Sequence, residues 1–223
     1  MNTELNPKIW QDNKLKPSVR RKIYDIVNAF LDYIDYPIRV ADIHILGSNA
    51  SYNYTNNSDL DVHLIVNFDD LEIPETFLQT FFNLEKSSFN KEYDIKIKGM
   101  DVEIYVEDIN ANTISNGIYS LNRDKWIKFP QHIEAPDVDL EPELSMIKKN
   151  IRNLININDI DKLNNYLDSI YLMRKDSLAI NGEFGKGNLI FKQLRNEGLL
   201  SFLRDKIKDL TSKKLSLESK KLR

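Results

Sequence analysis

Cysteine is absent from this chain of 223 residues, which excludes a disulfide framework and a thiolate metal centre and fits a reducing, cytoplasmic setting. Histidine is scarce, with three residues in all, and His44 and His63 therefore read as packing or hydrogen-bonding side chains rather than metal ligands. Long apolar runs are lacking too. The longest are strand-sized, so no membrane span is expected. The opening Met1-Asn2-Thr3-Glu4-Leu5 has neither the basic nor the apolar region of a secretory signal. Hydrophobic residues at 41% and charged residues at 29% are extreme in neither direction, which points to a globular protein with room for one large domain or two small ones.

Charge of one sign is unevenly spread. Residues 1–142 hold 14 Lys and Arg against 24 Asp and Glu, whereas residues 143–223 hold 17 against 10. An acidic part suits cations and a basic part suits phosphates, so the pattern fits a polyanionic ligand; a solvated helix surface accounts for the basic excess equally well. The terminal Lys213-Lys214, Lys220-Lys221 and Arg223 read as an ordinary frayed end.

Periodicity divides the chain into a mixed part and a helical part. Ile23, Ile26, Val27, Phe30, Leu31 and Ile34 form one stripe of a helix started by Pro17 and Ser18. Strands are expected at Val40–Leu46 and from Leu60 to Phe68, followed by a helix from Pro74 that carries Phe77, Leu78, Phe81 and Phe82. Two hairpins should follow, Tyr93–Lys98 with Asp101–Val106 around Gly99-Met100, and Gly117–Leu121 with Lys125–Phe129. Residues 130–142, with Pro130, Pro136 and Pro142 and no helical period, read as a linker between a domain at 1–129 and a helical domain at 143–223. Within the helical domain, residues 181–188 contain Gly182, Gly185 and Gly187 and read as a loop.

The chemistry concentrates between residues 46 and 66. Leu46-Gly47-Ser48 closes the first strand, and Ser58-Asp59-Leu60-Asp61-Val62 opens the second after a polar loop. Side chains two apart on a strand point the same way with Cβ atoms about 6.5–7 Å apart. Asp59 and Asp61 therefore share a face, and two such carboxylates can converge on cations about 3.5–4 Å apart, the spacing that clamps both oxygens in phosphoryl transfer. Glu103, between Val102 and Ile104, adds a third carboxylate if its hairpin lies alongside; Asp101 is the alternative third acid on the same face. Oxygen ligands of this kind favour magnesium or manganese. Gly47 and Ser48 would serve the phosphates, since a glycine turn lets backbone N–H groups and the Ser48 hydroxyl approach them.

The joint order of Gly47-Ser48, Ser58-Asp59-Leu60-Asp61-Val62 and Glu103 resembles the nucleotidyltransferase superfamily of the DNA polymerase beta type. With Leu5-Asn6-Pro7-Lys8-Ile9-Trp10 and Lys96–Gly99, it looks like predicted nucleotidyltransferases of tailed bacteriophages and some bacteria. The resemblance implies an α+β fold, a mixed β-sheet with flanking helices followed by a C-terminal helical domain. It further implies that Asp59, Asp61 and Glu103 hold two magnesium ions and that Gly47 and Ser48 bind the triphosphate. The reaction implied is transfer of a nucleoside monophosphate from a nucleoside triphosphate to an acceptor hydroxyl on an RNA, a protein or a small molecule. The setting would be the cytoplasm, that of the host if the chain is phage-encoded. Where many members carry another glycine, this chain has Asn49-Ala50-Ser51-Tyr52-Asn53-Tyr54-Thr55.

In the helical part Arg174, Lys175, Lys186, Lys192 and Arg195 surround the glycine-rich loop. Arg174 and Lys175 are the candidates for gripping the nucleotide, because adjacent cations repel unless something offsets them. Tyr52 and Tyr54 can stack on a base or simply pack in the loop. Two other classes compete: a non-catalytic nucleotide- or nucleic-acid-binding module on the same fold, and a glycosyltransferase, which also uses an Asp-x-Asp motif but usually where a strand meets a loop.

Overall fold

A computed structural model describes residues 2–133 and 138–217. The expectations for the Lys220-Lys221-Arg223 end and for 134–137 of the linker fall outside these residues. The chain forms two compact units, Met1–Glu134 and Ala135–Arg223.

The first unit is mixed α and β. It opens with a two-residue hairpin, β1 (Trp10–Gln11) and β2 (Lys14–Leu15), that the periodicity did not reveal. Its turn residues Asp12 and Asn13 both have positive φ, 50° and 60°, which is the geometry a tight hairpin demands and Asp-Asn tolerates. Helix α1 (Pro17–Ile34) follows with Pro17 in its first turn and buries Ile23, Ile26, Val27, Phe30 and Ile34 of the expected stripe, with Val19 added and Leu31 only partly covered. Strand β3 (Val40–Leu46) and strand β4 (Leu60–Val66) flank the polar loop. Helix α2 (Glu75–Glu92) leads to β5 (Lys96–Ile97) and β6 (Met100–Asp108), then β7 (Ile118–Ser120) and β8 (Lys125–Lys128).

These strands make one six-stranded sheet in the order β5-β6-β4-β3-β7-β8. Only β4 and β6 run parallel, because the chain between them crosses over through α2. The first predicted hairpin is displaced: strand structure starts at Lys96 rather than Tyr93, since α2 runs further than its apolar stripe suggests and the Tyr93 N–H still bonds the Phe89 carbonyl. The sheet alternates as a half-buried sheet should. Leu60, Val62, Leu64 and Val66 of β4 and Val102, Ile104 and Val106 of β6 join one apolar cluster with Ile23 and Phe30 of α1 and Leu78 and Phe82 of α2. The residues between them, Asp61 and His63, Glu103, Tyr105 and Glu107, line the opposite face and are half-buried.

The second unit contains α3 (Glu141–Ile155), α4 (Ile160–Asn181), α5 (Lys186–Asn196) and α6 (Leu199–Leu215). Leu144, Ile151, Leu163, Ile170, Phe191, Leu194, Leu200 and Leu203 make its core. The loop expected at 181–188 contracts to one 3₁₀ turn at Gly182–Phe184, with α5 starting at Lys186. Close approach explains the glycine at 187: a Cβ there would stand 2.8 Å from the Met173 carbonyl oxygen, so α5 rests on α4 backbone. No helix among the described residues is long and apolar enough to cross a membrane.

Candidate active site

The turn after β3 is built around Gly47. Its φ of 68° lies in the left-handed region that favours glycine, and it opens the 3₁₀ turn Ser48–Ala50. A Cβ on Gly47 would fall 2.1 Å from Asp61 Oδ2, so the turn backbone lies directly against the β4 carboxylate.

Asn49, fully buried, ties the polar loop shut. Its side-chain amide donates to the carbonyls of Ser58 at 3.2 Å and Asp59 at 2.8 Å, and its Oδ1 accepts from Asn6 Nδ2 at 2.7 Å. Its own carbonyl accepts the Trp10 indole N–H at 2.7 Å. Trp10 in turn stacks on Trp126 with ring centroids 4.7 Å apart. The segment 6–10 thus buttresses the turn from outside and fixes the backbone that delivers Asp59. Sequence reasoning missed Asn49, although its position directly after Gly47-Ser48 is the signal that marks it.

Across the polar face the parallel register sets the acids in rows. Asp61 pairs with Glu103, His63 with Tyr105 and Ile65 with Glu107, while β3 adds Leu46 beside Asp61 and His44 beside His63. Asp59 immediately precedes β4. Asp101 points the same way but is exposed, with Lys96 Nζ 3.1 Å away at the hairpin end. Glu103, not Asp101, is therefore the neighbour of Asp61.

Glu103 is not left to water. The Tyr105 hydroxyl donates to its Oε2, and Lys86 Nζ reaches across from α2 to 3.7 Å from the same oxygen. The Lys86 ammonium also sits over the Tyr105 ring, 3.3 Å from its centroid, while the His63 ring stacks on Tyr105 at 4.6 Å. Burial pushes the Lys86 ammonium below its ordinary pKa, against the opposing pull of Glu103 and Asp61. Burial, the bond to Glu103 and the charges of Glu103, Asp61 and Asp59 all drive the Tyr105 phenol well up, so it stays a neutral donor. Further along the row His63 Nδ1 lies 2.8 Å from Glu107 Oε2, and the Thr113 hydroxyl donates to Oε1. Burial raises Glu107, but these two bonds outweigh it and hold the carboxyl below its ordinary range. A cleft of about 500 Å³ opens here, lined by His63, Gln79, Tyr105, Glu107 and Asp108.

Oxygen-only donors suit a hard divalent cation, and in that respect Asp59, Asp61 and Glu103 fit magnesium or manganese. Among the described residues, however, no group of three or more His, Asp or Glu side chains is gathered as a ready cation cage. Glu103 is already engaged by Tyr105 and Lys86.

Arg174 and Lys175 belong to α4 in the second unit. Arg174 stacks over Phe191, 4.4 Å from the ring centroid, with its Nε 3.4 Å from Asn188 Oδ1; Lys175 is exposed. Lys186 pairs with Glu143 of α3. Tyr52 is buried and stacked on His132 at 3.6 Å, which assigns it to packing rather than to a base.

No protein-family model matches the chain, and no curated protein matches it. Among solved structures the chain is similar to a STING-associated CdnE c-di-GMP synthase from Capnocytophaga granulosa at 14% identity, covering 90% of this chain and 83% of that one with a TM-score of 0.25. At that identity and score the site, and not the likeness, carries the functional reading.

Proposed function

We propose that the first unit is a metal-dependent nucleotidyltransferase. The observation that supports this most is the joint arrangement of Gly47 backbone against the Asp61 carboxylate and of Asp61 beside Glu103 on adjacent parallel strands. Gly47 and Ser48 would receive the phosphates of a nucleoside triphosphate through backbone N–H groups and the Ser48 hydroxyl. Asp59, Asp61 and Glu103 would hold magnesium or manganese, which when bound lowers the pKa of an incoming hydroxyl and offsets phosphate charge. The acceptor hydroxyl gives its proton to solvent as its oxygen bonds to the α-phosphorus, the bond from that phosphorus to the oxygen bridging to the β-phosphate breaks, and pyrophosphate departs with that oxygen. Asn49 keeps the turn and the Asp59 backbone at a fixed separation throughout, so that positioning, rather than a protein base, is this chain's contribution. Arg174 and Lys175 are the nucleotide-gripping candidates of the second unit.

The test is incubation with each labelled triphosphate, magnesium or manganese, and a cell lysate supplying RNA, protein and small-molecule acceptors. Label should pass to one of these fractions with release of pyrophosphate, and Asp59→Asn and Asp61→Asn should each abolish transfer while melting as the parent does. Metal-dependent pyrophosphate release that survives both substitutions would exclude the reading.

The engagement of Glu103 by Lys86 and Tyr105 favours a second reading, a nucleotide-binding module without turnover. Calorimetry separates the two: triphosphate binding that needs no divalent cation, with no transfer to any acceptor, selects the module.

A further inference from the structure

Lys86 is in an expensive place. It stands on the same side of α2 as Leu78, Phe82 and Phe89, all buried, and its own side chain is only 19% exposed. An apolar side chain would fill that position without the cost of drawing a cation out of water. What offsets the cost is specific. Glu103 Oε2 is 3.7 Å from the ammonium, the Tyr105 ring face is 3.3 Å from it, and Asp61 adds a second negative charge within range. Every one of these groups belongs to the carboxylate face, none to the apolar core behind it.

Charge counting then gives the ammonium a role. Three carboxylates on one sheet face repel one another, and a site built from all three attracts two divalent cations. A positive charge held against one of the three removes part of that attraction on its side only.

We infer that Lys86 is a built-in cation of this site: its ammonium occupies the charge of Glu103, so that without nucleotide the chain takes up one divalent cation, at Asp59 and Asp61, instead of two. The inference rests on the reading of these acids as cation ligands. Tyr105 is the second positioning residue, since its hydroxyl holds Glu103 Oε2 toward the lysine. Nucleotide arrival would bring its own negative charge and its own cation to a site already part-neutralised.

The experiment is titration of the full chain with Mn²⁺ in the absence of nucleotide, with free Mn²⁺ read from its electron paramagnetic resonance signal. The parent protein should bind one Mn²⁺ per chain, and Asp61→Asn should remove it. Lys86→Met should bind a second Mn²⁺, or bind the first about tenfold more tightly as a like charge leaves the site. Lys86→Arg should behave as the parent. Lys86→Gln provides the neutral variant if Lys86→Met does not fold, judged by circular dichroism. Two Mn²⁺ bound by the parent, none bound by any variant, or superimposable titrations for the parent and the neutral variant each overturn the inference. Failure of the catalytic reading looks different: the one-to-two change in Mn²⁺ count holds, so the charge role stands, yet no triphosphate is transferred to any acceptor.

Discussion

Gly47 and Asp61 are in backbone-to-carboxylate contact across the end of two antiparallel strands, so close that a single carbon added to Gly47 would stand 2.1 Å from Asp61 Oδ2. Leu46 pairs with Asp61 in the β3–β4 ladder, and the left-handed turn at Gly47 then folds the chain over that side chain. The turn proposed to receive phosphates and the acid proposed to hold a cation are consequently in direct contact.

Gly47→Ala should therefore displace the Asp61 carboxylate as well as strain the turn. Loss of transfer of about a hundredfold is expected, the usual effect of a reacting group misplaced by about 1 Å, with a smaller loss of stability. Parallel measurement of kcat and thermal melting checks it: a protein destabilised but fully active would show that the contact does not position Asp61.

Asn49→Ala leaves the carbonyls of Ser58 and Asp59 and the amide of Asn6 without their buried partner. Each such orphan costs about 1–3 kcal/mol, so denaturant unfolding should show a loss of about 2 kcal/mol or more. Asn49→Asp retains the acceptor for Asn6 but sets a buried carboxylate oxygen against the two carbonyl oxygens, so it should cost at least as much as the alanine. Faster proteolysis of the 51–58 loop in Asn49→Ala is the local signature.

Burial lowers the pKa of His44 from its ordinary 6.5, with the neighbouring Asp42 opposing the shift. Because the folded-state value is the lower one, the unfolded chain binds the proton first. The stabilisation is present above about 6.5 and is lost as pH falls from there through the folded value. Melting temperature measured from pH 7.5 downward should fall through that window, and His44→Gln should flatten this part of the profile. A slope unchanged in the variant would assign the pH dependence to other groups.

Arg174→Ala removes the stack on Phe191 and the contact with Asn188, which should cost the helical unit about 1 kcal/mol. Lys175→Ala, at an exposed position, should leave stability unchanged. Nucleotide binding by Arg174 and Lys175 predicts in addition a rise in KM for the triphosphate in both variants with kcat little altered. An unchanged KM in both would confine Arg174 to packing and Lys175 to the solvated surface.

Much of the local architecture was legible because it is written in short-range periods. The helical stripe from Ile23 to Ile34, the strands at Val40–Leu46 and from Leu60, and the alternation around Glu103 each follow from where neighbouring side chains must point. Segments whose signal is short or shared were less legible. The β1–β2 hairpin spans too few residues for any period, and the start of the Tyr93–Lys98 stretch, which alternates like a strand, instead caps α2 through the Tyr93 N–H on the Phe89 carbonyl, so pairing begins only at Lys96.

The order Gly47-Ser48, Asp59, Asp61, Glu103 marked the candidate site from the sequence by itself, since spacing along a strand decides which acids share a face. Tertiary structure alone decided which strands adjoin. Only the parallel register sets Glu103 rather than Asp101 beside Asp61, only the fold of the first ten residues brings Asn6 and Trp10 onto Asn49, and only the path of α2 sets Lys86 over Tyr105 and Glu103. The physical reason is common to all three. Alternation is a property of consecutive residues, whereas a partner 17, 39, 42 or 43 residues away is chosen by how whole elements bury their apolar faces, and the polar contacts follow from that choice.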